Sequence, residues 1–402
     1  MRAGIRRPAG IRDLGAFFAA AALPVPWLIA HGLGGVGLQS EIVALLAGLA
    51  ILGGAFLLSW ATELAERDIP QSLALLVLAL VSVLPEYAVD LHFAIKAAED
   101  PQYAHYAVAN MTGANRLLIG LGWAAVVLVA CRRGRTHALR LEAHHRVELR
   151  FLLLATLYSF LVPIDGYIDL LDAAVLLGLF LWYAFSAAHG GSAEVELVGP
   201  SALVDREFDD FGRRLWALVL FLYAGCAIFV SAEPFADGLV HIGRNYAIDE
   251  FLLVQWVAPL ASEAPEFVIA VLFALRLRGG MGLGALISSK VNQWTLLVGA
   301  LPVAYCMASM TLRGLPLDGR QTEELYLTSA QSLLAVLLIC DLEISRAEAV
   351  LLASLFAVQM IFPSTDVRLA FCALYLVIFF GMLVHSPARR RALLDLLRTP
   401  PR

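Results

Sequence analysis

The stretch Ser82-Val83-Leu84-Pro85-Glu86-Tyr87 recurs 180 residues later, without a gap, as Ser262-Glu263-Ala264-Pro265-Glu266-Phe267. The match continues through Phe93 on Phe273, Ala94 on Ala274 and Lys96 on Arg276. Each copy lies inside an apolar run long enough to cross a bilayer, so each sets a glutamate directly after a proline in hydrocarbon. Proline lacks an amide hydrogen and clashes with the preceding turn, which predicts a kinked or unwound helix near mid-membrane with freed carbonyls. A carboxylate at that depth is costly unless partnered. Two at symmetric positions mark Glu86 and Glu266 as candidate cation ligands, with Ser82 and Ser262 as further oxygen donors.

Outward from these motifs the chain stays apolar. Of its 402 residues 60% are hydrophobic and 16% charged, where soluble domains carry about 25% charged residues. That balance excludes an ordinary soluble enzyme. At about 20 residues per span, twelve candidate helices can be read: 14–33, 42–61, 73–95, 106–131, 149–162, 168–187, 215–232, 251–275, 281–306, 325–340, 347–361 and 369–384. No small-residue cleavage site follows the first run, which reads as a retained span. Five cysteines at scattered positions indicate neither a disulfide framework nor a zinc site. Of the 29 cationic residues only Lys96 and Lys290 are lysine. With the amino terminus inside, the arginines gather on one side of the membrane, at residues 2–12, 132–146, 276–278 and 389–402. Few fall outside: Arg244, Arg313, Arg320 and Arg368. The expectation is a multi-pass protein of the cell (inner) membrane with both termini cytoplasmic.

A second stretch of likeness relates 148–185 to 324–361 in hydropathy and in an acidic turn, Asp165 and Asp169 against Asp341 and Glu343. The duplication covers about five helices per half. Because five is odd, the second copy enters the membrane from the opposite side, the arrangement of secondary transporters. The predicted fold is therefore an all-α polytopic membrane protein of about twelve transmembrane helices, with two inverted five-helix repeats containing interrupted helices. Its divisions are an extra helix over 1–40, a first repeat over 41–188, an acidic cytoplasmic linker over 189–212, a second repeat over 213–363, and an extra helix with a basic tail over 364–402.

With these motifs the chain resembles the sodium/calcium exchanger membrane domain of the cation/calcium antiporter superfamily. Members carry two inverted repeats, each with a G-T-S-L-P-E-like segment followed by a helix reading roughly G-N-V-V-G-S-N or G-S-D. Here the first repeat has Val81-Ser82-Val83-Leu84-Pro85-Glu86 and then Ala109-Asn110-Met111-Thr112-Gly113-Ala114-Asn115. The second has Ala261-Ser262-Glu263-Ala264-Pro265-Glu266 and then Gly284-Ala285-Leu286-Ile287-Ser288-Ser289-Lys290. The resemblance implies that Glu86, Glu266, Ser82, Ser262, Asn110, Asn115 and Ser289 line an ion site, with Glu86 and Glu266 as the metal ligands. It implies a secondary-active antiporter that exchanges Ca²⁺ or another metal cation for Na⁺ or H⁺ by alternating access.

Two departures bear on that expectation. Lys290 stands where the family has Asn or Asp, and Arg116 follows Asn115. Glu86, Glu266 and Lys290 together carry a formal charge of −1, which suits one monovalent ion better than Ca²⁺ unless Lys290 is neutral or turned away. Asp90, four residues beyond Glu86, and Glu263, three before Glu266, are candidate partners of Lys290 on neighbouring helical faces. A buried lysine can give up its proton as a cation binds. Lys290 and a carboxylate therefore either exchange protons for the metal or form a fixed bridge that sets helix packing. The alternatives are a Na⁺/H⁺-type monovalent exchanger with Lys290 in the ion site, or a non-transporting membrane scaffold.

Enzymatic readings find little support, since the spans hold no HExxH or Ser/His/Asp arrangement. Gly280-Met281-Gly282-Leu283-Gly284 opens a span without a preceding strand, so it predicts close helix packing rather than phosphate binding. The partners expected are inorganic cations and the lipid bilayer, with no nucleic acid, no nucleotide and no cofactor beyond the transported Ca²⁺, Na⁺ or H⁺. His144 and His145 are expected to face solvent or headgroups, and the basic tail over 388–397 to lie on anionic lipid.

Overall fold

In a computed structural model, which describes residues 11–34, 38–65, 68, 83–188, 197 and 199–398, helices occupy the described part of every predicted run. The first run is split into α1 (Ile11–Ala22) and α2 (Val25–Gly32), with Pro24 between them breaking the hydrogen-bond ladder. Next come α3 (Ser40–Ala65) and α4 (Leu84–Lys96). The start of the third run, Ser82 included, lies outside the described residues. The fourth run is α5 (Gln102–Leu117), a π-helical segment (Leu118–Trp123) and α6 (Ala124–Gly134). After β1 (Ala138–Arg140) come α7 (Arg146–Ser159), β2 (Tyr167–Ile168) and α8 (Leu170–Ala188). A short α9 (Pro200–Glu207) in the linker leads into α10 (Asp210–Tyr246) and α11 (Glu250–Leu275). The ninth run repeats the build of the fourth: α12 (Gly279–Asn292), a π-helical segment (Gln293–Leu297) and α13 (Val298–Ser309). The chain closes with β3 (Leu315–Pro316), α14 (Gly319–Ile339), β4 (Glu343–Ser345), α15 (Arg346–Ile361), α16 (Thr365–His385) and α17 (Pro387–Arg398).

Among the described residues nine helical stretches are long and apolar enough to cross a membrane. The three other runs fall short for identifiable reasons. The third is described only in its second half, and α15 has 16 residues. In α14 the buried positions include Gln321, Glu324, Thr328, Ser329, Gln331 and Ser332. Protein surrounds that helix, so its polar groups find partners that lipid could not supply. The seventh run is much longer than 215–232: the 37 residues of α10 rise about 55 Å, beyond the roughly 30 Å of hydrocarbon. Its charged ends, Arg213 and Arg214 at one and Arg244 at the other, therefore project past the apolar layer.

Two small strand pairs reveal how the halves are related. β1 pairs antiparallel with β4, and β2 with β3. By repeat position β1 corresponds to β3 and β2 to β4, so exchanging the halves converts one pair into the other. β1 and β2 stand at opposite ends of α7, whose 14 residues rise about 21 Å. Equivalent strands thus lie at opposite ends of the helical layer, as an inverted repeat requires. Packing obeys the same exchange: α11 lies on α5, while α4 lies on α13 and α3 on α10.

Proline 265 corrects an expectation. α11 runs unbroken through Pro259 and Pro265, so of the kinking or unwinding predicted for the second motif, unwinding does not occur. Its neighbours hold the helix together, and proline removes only the ladder bond to the carbonyl four residues earlier. In the first motif Pro85 lies in the first turn of α4, a position where its missing amide costs nothing.

Candidate functional site

The site forms where α4 and α11 meet. Pro85 starts α4, which sets Glu86 in its first turn, where the helix dipole favours negative charge. Along α11, Glu263 and Glu266 project toward the same place. Carboxylate oxygens of Glu86, Glu263 and Glu266 all lie within 4.8 Å of one another, with Glu86 and Glu263 buried and Glu266 half-buried. Glu263 accepts a hydrogen bond from Gln293, the first residue of the second π-helical segment. Wide turns of this kind occur frequently at functional sites. Ser262 is buried beside Glu86, its hydroxyl donating to the Ala258 and Pro259 carbonyls at 3.3 Å each.

One turn beyond Glu86 on α4, the Asp90 carboxylate accepts from Asn110 Nδ2 at 2.9 Å. One oxygen of each acid in this group, and the amide oxygen of Asn110, is unpaired: Glu86 Oε2, Glu263 Oε2, Glu266 Oε2, Asp90 Oδ2 and Asn110 Oδ1 are buried without a hydrogen-bond partner among the described residues. Such an atom costs about 1–3 kcal/mol, and five so close in the sequence motifs point to a ligand that satisfies them.

Lys290 is not paired as expected. It forms no ion pair with Asp90 or Glu263; its Nζ donates to Asn115 Oδ1 at 2.7 Å and to the Asn115 main-chain oxygen at 3.2 Å. The indole of Trp294 covers it, with Nζ 4.5 Å from the ring centroid. Geometry explains the change of partner: Asp90 is engaged by Asn110 and Glu263 by Gln293, while Asn115 faces Lys290 from the repeat-equivalent position. Asn115 is thereby drawn away from the carboxylates, since its Nδ2 also donates to Met111 O at 2.8 Å. Ser289 is half-buried and makes no hydrogen bond among the described residues, and Asn115 Oδ1 is engaged by Lys290.

Arg116 is neutralised by a residue absent from the expected set. Its guanidinium pairs with Glu324 at 2.9 Å, both side chains nearly fully buried, and lies 4.9 Å from the Trp256 ring centroid. The signals for Gln293 and Glu324 were in the sequence as polar residues inside apolar runs; Gln293 has the apolar Leu118 at the matching place in the other half, whereas Glu324 has Glu148. The two surface expectations are met in part: His144 is exposed as expected, while His145 and two leucines of the tail are not. His145 is buried against Gly284, where a Cβ would meet its ring at 2.1 Å, and Leu393 and Leu396 of the basic tail are buried against protein rather than spread on lipid.

The sequence profile of the sodium/calcium exchanger protein family matches residues 40–188 and 216–365. A crystal structure described as the H⁺/Ca²⁺ exchanger CAX is 44% identical, with a TM-score of 0.91 over 96% of this chain and 97% of its own. The sodium-calcium exchanger NCX_Mj superposes with a TM-score of 0.54 over 85% of this chain and 99% of its own, at 21% identity, a likeness of fold. An uncharacterized membrane protein of Methanocaldococcus jannaschii is 28% identical over 139 residues, 35% of this chain; the chain spans 43% of that relative's length.

Proposed function

The chain belongs to the sodium/calcium exchanger protein family, and on that premise we propose that it is a secondary-active antiporter that exchanges Ca²⁺ for H⁺ across the cell membrane by alternating access. The observation that carries this reading is the convergence of Glu86, Glu263 and Glu266, from both halves of the chain, with an unpaired oxygen on each. The three clustered carboxylates and Asp90 against the single ammonium of Lys290 leave a formal charge of −3, which one divalent cation and one proton neutralise. Glu263 thus tips the balance away from the monovalent alternative. Calcium takes six to eight oxygens in flexible geometry, and Asn110, Asp90 and the Ala261 carbonyl that Pro265 deprives of its donor lie on the same two helix pairs.

Protons supply the counter-ion by simple chemistry. A carboxylate holds either a proton or a metal, so Ca²⁺ binding releases protons and acid releases Ca²⁺. The relative named as an H⁺/Ca²⁺ exchanger, at 44% identity, supports the same pairing. The arginine-rich loops support an orientation with both termini, β1 and β4 on the cytoplasmic side.

Flux into proteoliposomes, with Ca²⁺ and pH followed together, tests the reading. A pH gradient drives Ca²⁺ movement in the unmodified protein, and Glu86→Gln and Glu266→Gln each abolish it. Transport at the unmodified rate by both variants would show the site to be misassigned.

A further inference from the structure

Asn115 and Lys290 are separated by 175 residues, the same interval that separates the starts of the two π-helical segments at Leu118 and Gln293. They are therefore equivalent residues of the two halves, and they touch each other across the pseudo-twofold axis. The contact is asymmetric only in chemistry: one half contributes an amide and a carbonyl oxygen, the other a side chain ending in a positive charge. Both residues are fully buried. Around Nζ stand Asn115 Oδ1 at 2.7 Å, Asn115 O at 3.2 Å and the face of Trp294 at 4.5 Å. Two neutral oxygens and an aromatic face are what a desolvated monovalent cation is given when no carboxylate binds it directly. Glu263 provides longer-range attraction, while Arg116, the other cation nearby, is neutralised by Glu324.

We propose that the Lys290 ammonium is a built-in monovalent cation, covalently tethered in a subsite on the axis that a dissolved Na⁺ would otherwise fill, and that it makes this exchanger indifferent to sodium. The proposal rests on the three-carboxylate cluster being the calcium site, because it assigns Lys290 a place beside that site and not in it. The ammonium satisfies the oxygens of Asn115 and holds one positive charge in place, so a free alkali ion meets neither vacant ligands nor uncompensated charge. Replacing Lys290 by a carboxamide removes the tethered charge, returns the Asn115 oxygens to solvent cations and adds an oxygen from the opposite half. Lys290 is thus a specificity-determining residue that rejects Na⁺ by occupying its place.

The test measures Ca²⁺ uptake by proteoliposomes while Na⁺ replaces choline at constant ionic strength, for the unmodified protein, Lys290→Asn and Lys290→Gln. Melting temperature with and without Na⁺ is recorded on the same purified proteins. The unmodified protein is expected to show no change in uptake and no sodium-dependent melting shift. In the variants Na⁺ is expected to alter uptake and to raise the melting temperature, shifting the folding equilibrium about tenfold at a concentration ten times its dissociation constant. Sodium-driven Ca²⁺ movement or a sodium-dependent melting shift in the unmodified protein overturns the proposal. So does sodium indifference in both variants when Ca²⁺ still stabilises them; if neither variant folds, the unmodified protein decides by its own sodium response. The two readings fail separately: absence of any Ca²⁺ movement removes the proposed function, while the melting shift still reports on sodium. Calcium movement driven by Na⁺ removes only the role given to Lys290.

Discussion

Glu263 is the residue whose role changed most between sequence and structure. As a partner for Lys290 it would have been a counter-charge, yet its carboxylate joins Glu86 and Glu266 and is held by Gln293. Glu263→Gln is accordingly expected to remove Ca²⁺ transport as fully as Glu86→Gln, and a calcium-induced melting shift measured on the purified variant should vanish with it. Gln293 is a positioning residue, since it aims one glutamate oxygen and leaves the other free. The residue at its place in the first half is Leu118. Gln293→Leu is expected to weaken Ca²⁺ binding roughly 10–100-fold, the usual effect of losing a group that orients a ligand, with the transport rate at saturating Ca²⁺ changed much less. Proton competition makes a further prediction: the apparent Ca²⁺ affinity of the unmodified protein should rise with pH, because protons leave the carboxylates as the metal enters. An affinity independent of pH would argue against proton exchange at these groups.

Helices bring these residues together only because some positions are small. Gly113 on α5 packs directly on the Gln255 carbonyl of α11, where a Cβ would stand 1.8 Å from the oxygen. Pro259 has no amide to give that carbonyl, so the bared backbone of one helix meets the bare backbone of another. Gly113→Ala must push α5 away from α11, and overpacking of this kind typically costs about 1–3 kcal/mol; thermal unfolding in detergent should register the loss. The glycine-rich opening of α12 behaves as predicted from sequence, with Gly282 closing on the Ala270 carbonyl of α11 at a Cβ distance of 2.4 Å. Deeper in the same bundle, Arg116 and Glu324 tie α5 to α14. Removing one member of a buried pair typically costs about 3–5 kcal/mol, and although Arg368 at 3.8 Å partly compensates the Glu324 left behind, Arg116→Met should destabilise more than Arg116→Met combined with Glu324→Leu. A double variant less stable than the single would show the pair to be net stabilising by itself.

At the scale of the molecule, inversion is the feature that sets the two motifs face to face. The strand pairs put residues near 137 and 343 at one end of the helical layer, and residues near 164 and 312 at the other. Ile164, Leu312 and His137 are exposed, and Glu343 is half-buried. Single cysteines at 137 and 343 should therefore react with an impermeant maleimide from one side of the membrane, and cysteines at 164 and 312 from the other. Equal labelling of all four from one side would contradict the inverted arrangement. With the arginine-rich loops placed inside, the first pair is expected to be cytoplasmic.

What the sequence by itself determined was the architecture and the placing of one proline-glutamate pair in each copy. Apolar runs of bilayer length, an odd number of helices per copy and a proline-glutamate pair in each copy are local or periodic signals, readable without coordinates. Pairing was decided only by tertiary structure. Whether Glu263 meets Lys290 or Glu86 depends on how helices 180 residues apart rotate about their axes, and rotation is set by side chains packing across the interface. The same holds for Asn115, which the resemblance to the exchanger family placed among the ligands and which the fold turns toward Lys290. Pro265 shows the limit from the other direction: a residue that breaks helices by its own chemistry sits in an unbroken one because the surrounding bundle holds the turn closed.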